Sequence, residues 1–388
     1  MIQFRDLQKQ YAALRADIDS AIARVCASAH FIGGDEVSAL ERELMQYVGA
    51  THCISCANGT DALSLALMAW ELGPGDAVFV PDFTFFASAE APALIGATPI
   101  LVDVDAGTFN IDPRKLEQAI KAVMEEGRLT PRAVVTVDLF GLPADYPAIR
   151  SLCDTYGLLI LEDAAQAFGG SIKGQKAGSF GDISITSFFP AKPLGCYGDG
   201  GAVFTDNHAW ATLIQSYAVH GKGTMKYDNV RIGMNSRLDA IQAAILRVKL
   251  AAFKDHELEA VNGVAEYYGK GLKCTGLRLP VVPDGYYSSW AQYTVCLPEA
   301  IDRNALQKRL KQQGIPTMVY YPKPLSQQPA LENTAQWFDD NGVSEELCRT
   351  VLSLPIHPYL ETEELDQIIS AVSEFCNTMG GNEGSQYD

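Results

Sequence analysis

The sequence lacks a long apolar run, an excess of basic residues and a recognisable secretory leader. The uncharged stretches 91–102 and 285–298 fall short of the roughly 18–20 apolar residues that a membrane-spanning helix needs. Its 30 basic residues are outnumbered by 47 acidic ones, which disfavours a nucleic-acid-binding protein because phosphates require a basic surface. Residues 1–6 contain no basic segment followed by an apolar block. We therefore expect a cytoplasmic protein that does not associate with membranes.

Metal and disulfide chemistry have little support in the sequence. The nine cysteines are scattered, and Cys53 and Cys56 form a C-x-x-C pair inside a strand-like run, with no second pair and no nearby histidine cluster. Zinc or redox use of this pair stays open, but buried reduced thiols fit better and agree with a reducing cytoplasm. The six histidines show neither H-x-x-x-H nor H-E-x-x-H spacing, so we predict no metal site.

Strand and helix patterns alternate from residue 53 to residue 205, after two helical segments in the first fifty residues. Asp35 is the predicted cap of the second of these helices. The predicted strands are 53–56, 77–80, 99–104, 133–139, 158–161, 183–188 and 202–205. The predicted helices between them are 61–72, 87–95, 113–126 and 146–156. This alternation predicts an α/β fold with a mostly parallel sheet covered by helices, and ligands bind such sheets at the carboxyl ends of the strands.

Beyond residue 205 the pattern changes, and a chain of 388 residues is long enough for two domains. Helical patterns dominate to about residue 272. The later elements are a loop at 276–284, strands at 293–297 and 317–321, and helices at 303–313 and 362–376. We predict a large α/β domain with an N-terminal helical segment (residues 1–250), a smaller α+β domain (251–379) and a disordered polar tail (380–388).

Two of the predicted strand ends carry polar residues of ambiguous meaning. Asn58-Gly59-Thr60-Asp61 leaves a strand and opens a helix, where free N–H groups can bind a phosphate, although a plain capping turn would look the same. Glu162-Asp163 ends a wholly apolar strand. A buried carboxylate there needs a cationic partner such as a protonated pyridine nitrogen, whereas a helix-capping aspartate would need none.

A third segment places Lys192 between Pro190 and Pro193, so that we expect no regular helix or strand around it. Its apolar neighbours disfavour the charged amine and would make it a nucleophile, against the alternative of a surface lysine. The glycine-rich segment 195–202 lacks the G-x-G-x-x-G fingerprint and leads into a strand. This disfavours a dinucleotide-binding dehydrogenase and favours close backbone packing beside Lys192.

One cofactor, pyridoxal phosphate, would explain these segments together. It needs a lysine for its Schiff base, a carboxylate for its ring nitrogen, donors for its phosphate and an aromatic face for its ring.

The chain resembles the DegT/StrS family of nucleotide-sugar aminotransferases, which are pyridoxal-phosphate enzymes of fold type I. The resemblance extends from about residue 4 to about residue 372, and the matching segments occur in family order. They are SCANGTDAL (55–63), PDFTF (81–85), EDAAQ (162–166), SFFPAKPLGCYGDGG (187–201), NSRLD (235–239) and YP (321–322). The resemblance implies an aspartate-aminotransferase-like architecture, with a mostly parallel seven-stranded sheet and a smaller α+β C-terminal domain.

The resemblance also implies cofactor roles residue by residue. These are Schiff-base formation for Lys192, pairing with the ring nitrogen for Asp163, a hydrogen bond to the phenolic oxygen for Gln166, ring stacking for Phe85, and phosphate binding for Gly59, Thr60, Ser187 and Asn235. Relatives supply the residue at the position of Asn235 from the second subunit, which implies a homodimer with shared active sites. Substrate binding is implied for Phe31, Arg237, Tyr320 and Tyr321.

Within the family, the segment NSRLD resembles the branch that aminates C3 of UDP-linked 3-oxo sugars. The implied substrate is UDP-2-acetamido-2-deoxy-3-oxo-glucose or its uronate, used in bacterial surface polysaccharide or lipopolysaccharide biosynthesis. Tyr320 replaces a histidine common in the family, which favours the neutral sugar. Alternatives are a C4-keto sugar or a dTDP-linked 3-keto sugar.

The implied mechanism is ping-pong. L-glutamate donates the amino group and leaves as 2-oxoglutarate, the cofactor passes through pyridoxamine phosphate, and Lys192 moves the proton as base and acid. Two other classes stay open. A related dehydratase branch shares the fold and cofactor but usually has histidine in place of Lys192, and a non-catalytic regulatory relative would have little reason to keep Lys192, Asp163 and Gln166 together.

Overall fold

The computed structural model describes residues 2–225, 227–338 and 342–380. Its strands are β1 (His52–Cys56), β2 (Asp76–Pro81), β3 (Thr98–Val102), β4 (Thr130–Val137), β5 (Leu159–Asp163), β6 (Ser171–Ile172), β7 (Gln175–Lys176), β8 (Ile183–Ser187), β9 (Gly201–Thr205), β10 (Tyr286–Tyr287), β11 (Tyr293–Cys296), β12 (Gln336–Trp337) and β13 (Val351–Leu354). Its helices are α1 (Leu7–Ser28), α2 (Asp35–Val48), α3 (Gly59–Ala69), α4 (Ala87–Leu94), α5 (Pro113–Glu126), α6 (Tyr146–Tyr156), α7 (His208–Tyr217), α8 (Ala240–Ala252), α9 (Leu258–Gly271), α10 (Arg303–Gln312), α11 (Gly342–Thr350) and α12 (Thr362–Gly380). Among the described helices, none is both long and apolar enough to cross a membrane.

The large sheet has eight strands in the order β1-β9-β8-β5-β4-β2-β3-β12. Strand β9 runs antiparallel to both of its neighbours, and the other adjacent pairs are parallel. The α/β fold with a mostly parallel sheet is therefore confirmed. The sequence analysis missed β12, which adds to the edge of the sheet beside β3, because two residues are too few to show an alternating pattern.

The two N-terminal helices pack against α8 through their apolar faces, which include Ile18, Val25, Leu40 and Leu44. The capping prediction for α2 was wrong by one residue. Gly34 is the N-cap at φ +83°, and Asp35 is the first helical residue, where its carboxylate still interacts favourably with the helix dipole.

A second core lies in the C-terminal part of the chain, around α9, α10, α12 and the two-stranded sheet of β11 and β13. Ile2 joins this core, although it stands at the other end of the sequence. A π-helical turn, Phe253–Glu257, links α8 to α9, so the chain crosses the predicted boundary at residue 250 within a helical run. The division at that residue stays a prediction. Gly380 belongs to α12, and the rest of the predicted tail, 381–388, lies outside the described residues.

Two other expectations were wrong. Residues 218–225 and 227–239 are not helical, because His220 and Gly221 adopt positive φ angles and the chain turns into isolated bridges such as Val219 with Asn235. Residues 317–321 form no strand and contribute only the bridge from Met318 to Ser353. The analysis also missed α11 and β13, because α11 continues directly into β13 without turn residues to mark the junction.

Candidate active site

The polar segments singled out in the sequence meet at the carboxyl edge of the large sheet. Asp163 ends β5 and Ser187 ends the adjacent strand β8. Gly59 opens α3 just after β1, which runs in the same direction as β8. Phe85 follows β2, before α4 begins. The parallel arrangement therefore collects residues that are far apart in the sequence, as expected for this class of sheet.

Lys192 lies in the irregular loop between β8 and β9, and its backbone N–H donates to the carbonyl of Phe189 at 2.8 Å. Its side chain is half-buried. Burial lowers the pKa of the Lys192 amine to about 8; the Asp163 charge opposes this shift and the Arg5 charge adds to it. An ordinary lysine has a pKa near 10.4, so a much larger fraction of this amine is neutral and nucleophilic near neutral pH.

Asp163 is a buried carboxylate whose hydrogen-bond donors, among the described residues, are neutral. It accepts from the Ser88 hydroxyl at 3.0 Å and from the Ala165 N–H at 3.1 Å. Burial raises its pKa, although these two donors and the Lys192 charge oppose the shift. A cation placed against this carboxylate would repay part of the cost of burying it.

The neighbouring carboxylate, Glu162, has a structural role. Successive residues of a strand point to opposite faces, so its side chain leaves the sheet on the side opposite to that of Asp163. It accepts from the Phe180 N–H at 2.7 Å and from the Ser184 hydroxyl at 2.7 Å. The donors around Glu162 hold the turn before β8 in place and leave Asp163 as the carboxylate available to a ligand.

Gln166 and Tyr321 are joined by a hydrogen bond next to Asp163. The Gln166 Oε1 accepts from the Phe140 N–H at 2.7 Å, and its Nε2 donates to the Tyr321 hydroxyl at 3.1 Å. Burial raises the pKa of Tyr321, so its hydroxyl stays protonated. The exposed ring of Phe85 lies 6.3 Å from the Tyr321 ring. One amide hydrogen of Gln166 and one aromatic face are thus available beside the carboxylate.

A tight cradle forms where α3 begins. A Cβ on Gly59 would lie 2.9 Å from the Cβ of Ser187, and one on Gly201 would lie 2.6 Å from the backbone of Asn58. Glycine is therefore required at both positions. Asn58 caps the helix by accepting from the Asp61 N–H at 2.8 Å. The first-turn N–H groups of α3 and the hydroxyls of Thr60 and Ser187 suit a phosphate.

Phe31, Asn235 and Arg237 form a separate, exposed group in the single subunit. The carbonyl of Phe31 accepts from the Ala240 N–H at 2.9 Å, and Arg237 donates to the Asn235 Oδ1 at 2.6 Å. Ser236, which is buried between them, accepts from the Ala57 N–H at 3.0 Å. This group therefore borders the cradle, but the described hydrogen bond of the Asn235 side chain is with Arg237.

Tyr320 lies at the edge of the same region, half-buried between Phe4 and Tyr321, with ring centroids 6.2 and 5.7 Å away. Burial raises the pKa of Tyr320, so it presents a neutral hydroxyl to whatever binds there.

The sequence analysis missed Ser88 and Arg5. Ser88 lies in the first turn of α4, three residues after Phe85, and a polar residue so close to a recognised motif was the available signal. Arg5 donates to the carbonyl of Lys192, which is 187 positions away, and no local pattern predicts such a contact.

The site fits pyridoxal phosphate on the structure alone. Lys192 supplies an amine, Asp163 is a buried acceptor that receives hydrogen bonds from neutral donors, Gln166 offers a donor, and the cradle at Gly59 is shaped by residues that exclude a Cβ. Together these match the four groups of the cofactor that a protein must bind.

Comparison with known proteins identifies an aminotransferase family that matches nearly the whole chain. Residues 12–373 match the DegT/DnrJ/EryC1/StrS aminotransferase family. The chain is 44% identical to the UDP-2-acetamido-2-deoxy-3-oxo-D-glucuronate aminotransferase of Pseudomonas aeruginosa, covering 96% of this chain and 100% of that protein. It is 41% identical to the UDP-N-acetyl-3-dehydro-alpha-D-glucosamine 3-aminotransferase of Acidithiobacillus ferrooxidans, covering 95% and 96%. A crystal structure of a DegT DnrJ EryC1 StrS aminotransferase from Brucella abortus superposes with a TM-score of 0.94 at 47% identity, covering 97% and 99%.

Proposed function

Because the chain belongs to the DegT/DnrJ/EryC1/StrS aminotransferase family, we propose that it moves an amino group from L-glutamate to the C3 carbonyl of a UDP-linked 3-oxo sugar. The chain is an aminotransferase of fold type I, and enzymes of its family use pyridoxal phosphate. The main support for the proposal is the position of Lys192 at the carboxyl edge of the sheet, where its amine interacts electrostatically with the Asp163 carboxylate. A histidine at position 192 would have favoured a dehydratase.

Each part of the site has a role in holding the cofactor. Asp163 would hold a proton on the ring nitrogen, Gln166 would donate to the phenolic oxygen, and Phe85 would cover the ring. Gly59, Thr60 and Ser187 would bind the phosphate through the cradle. When bound, the cofactor withdraws electrons from the α-carbon of the amino donor. Lys192 is the group that would take the proton from that carbon as a base and deliver it again as an acid.

The sugar is proposed from two observations. The relatives named above act on UDP-linked 3-oxo sugars, one a uronate and one without that acid group. Tyr320, beside Tyr321, presents a neutral hydroxyl and favours the neutral 2-acetamido-3-oxo sugar. In the separate exposed group, Phe31 would contact the sugar, and Arg237 is the cation that would bind a uronate or the diphosphate. A role in bacterial surface polysaccharide or lipopolysaccharide biosynthesis follows from such a product. We place the enzyme in the cytoplasm, since all nine cysteines are free thiols, as in a reducing compartment.

The function is tested by supplying the purified enzyme with both UDP-linked 3-oxo sugars and L-glutamate. We expect a 3-amino sugar nucleotide and one 2-oxoglutarate per amine formed, with faster turnover of the neutral sugar. A UDP-linked 4-keto sugar and a dTDP-linked 3-keto sugar serve as controls for position and nucleotide. Amination of the 4-keto sugar alone, or release of water from the sugar without transfer of nitrogen, would refute the proposal.

The same site supports a homodimer. Apolar side chains with high exposure lie near Asn235 and Phe31 in the sequence, and Tyr227 and Ile232 are 86% and 90% exposed. The others are Ile32, Met225 and Val230. Exposed apolar side chains of this size are typical of an interface between subunits. We propose that a second copy covers these residues and that Asn235 then reaches the phosphate cradle of its partner.

Mixing of inactive subunits tests this shared site. Lys192→Ala and Asn235→Ala proteins are each expected to have little activity, whereas co-refolded mixtures should recover about a quarter of the wild-type value, because half of the dimers hold one intact site of two. The matched control mixes Lys192→Ala with Asp163→Ala, two residues of the same subunit's site, and should recover nothing. Equal recovery in both mixtures, or in neither, would exclude Asn235 as a residue donated across the dimer.

A further inference from the structure

The N-terminal segment, residues 2–6, lies between the C-terminal core and the loop that carries Lys192. Ile2 is buried in that core. The carbonyl of Phe4 accepts from the Ile356 N–H at 3.2 Å, and the Phe4 ring packs edge-on against Tyr320. Lys9, at the start of α1, extends this attachment through ion pairs to Glu361 and Glu364 at 3.0 and 3.1 Å. The segment is therefore fixed at both of its ends.

Arg5 projects from this segment onto the loop. Its Nη2 lies 2.9 Å from the carbonyl oxygen of Lys192 and 3.4 Å from that of Pro193. The buried amine of Lys249, in α8, also donates a hydrogen bond to this loop, at the carbonyl of Gly195. Since a loop with two prolines has few regular backbone partners, two cations from separate elements hold the carbonyls around Lys192.

A buried carboxylate, Glu257, interacts with both of these cations. Glu257 is buried and accepts from the Gln10 amide at 2.9 Å and from the Tyr359 hydroxyl at 2.6 Å. Its charge favours the protonated forms of both Arg5 and Lys249. On the opposite side, the charges that act on the Lys192 amine are those of Asp163, which favours its protonated form, and Arg5, which disfavours it.

We propose that Arg5 is a positioning residue for Lys192. It holds the carbonyls of Lys192 and Pro193 so that the amine points to the cofactor site, and its positive charge keeps more of that amine in the neutral, nucleophilic form. The proposal depends on the cofactor used by the family and on no assumption about the sugar. Failure of the sugar assay would therefore leave it intact.

Covalent uptake of pyridoxal phosphate by the full-length apoprotein measures this role directly. In this reaction the Lys192 nitrogen adds to the aldehyde carbon of the cofactor and one water molecule leaves, and the visible absorbance reports the product. With the Lys192 pKa lowered to about 8, the rate should rise with pH through that value and then level off, because only the neutral amine reacts. Removal of the Arg5 charge raises this pKa and moves the midpoint upward.

Arg5→Met is expected to take up the cofactor severalfold more slowly at pH 7, with its midpoint at higher pH, because the Arg5 charge is one of the causes that lower the Lys192 pKa. Arg5→Lys keeps the charge and should restore the midpoint and most of the rate. Lys9→Met removes a nearby cation whose described ion pairs do not involve the loop, and because Ile2 and Phe4 still hold the segment, it should match the wild type. If Arg5→Met does not fold, Arg5→Gln, which keeps hydrogen-bonding capacity without charge, is compared with Arg5→Lys. An unchanged midpoint in the neutral variants, equal defects in Arg5→Lys and Arg5→Met, or the same defect in Lys9→Met would overturn the proposal.

Discussion

Lys192→Ala is expected to abolish turnover with every amino donor and to remove the visible absorbance of the lysine-linked cofactor. The variant loses the nucleophile and the acid–base group at once, and general acid–base catalysis alone is worth about 10²–10⁴-fold in rate. We therefore expect activity to fall by at least about 10⁴-fold. The phosphate cradle and Asp163 remain, so the cofactor should still bind without a covalent link.

Lys176 offers a matched control, because burial also lowers its pKa and its amine lies 5.5 Å from the centre of the Tyr47 ring. Lys176→Ala should keep both the absorbance and the turnover. Absorbance is followed on addition of cofactor, and turnover as release of 2-oxoglutarate. Addition of a small primary amine to Lys192→Ala should restore a fraction of the rate. Full activity of Lys192→Ala would show that the amine is not at the reacting centre.

The helices that were predicted most accurately have capping residues at both ends. Helix α5 begins after Asp112, whose side chain accepts from the Arg114 N–H, and ends at Gly127 with φ +68°. Helix α6 likewise lies between Asp145 and Gly157. Both were predicted with their observed bounds, because a capping carboxylate and a left-handed glycine are local features. Strands β1 to β5, β8 and β9 were predicted because their residues are mostly apolar and buried.

Some of the errors arise because the local structure depends on distant residues. Residues 218–239 contain enough apolar residues to suggest helices, yet their bridges and turns are set by contacts among Val219, Asn235 and the backbone of α7. At the site, the meeting of Asp163 with Ser187 could be expected from the ends of neighbouring parallel strands. The contacts of Arg5 and Ser88 could not, because they arise when separate elements dock.

Asp163→Asn is expected to lower kcat by roughly 10²–10⁴-fold, which is the usual contribution of a positioned acid or base to the rate. The covalent link between the cofactor and Lys192 should still form. The substitution keeps the shape and the acceptor oxygen but removes the charge that would keep the ring nitrogen protonated. Ser88→Ala removes one donor to the same carboxylate. Loss of one such hydrogen bond is worth about 1 kcal/mol, so we expect a severalfold decrease in this variant and a much larger one in Asp163→Asn.

Stability separates this role from a structural one. Burial raises the pKa of Asp163 above its unfolded value, so the folded apoprotein holds this proton to higher pH than the unfolded chain does. The ionised carboxylate therefore costs stability once the pH exceeds the raised pKa, and that cost disappears as the pH falls below the unfolded value near 3.9. We expect apo Asp163→Asn to melt at a higher temperature than the wild type at neutral pH, and to lose this advantage in acid. A residue kept for binding a cationic ring should cost stability until that ring is bound. If Asp163→Asn is inactive and also less stable than the wild type at neutral pH, Asp163 supports the fold instead.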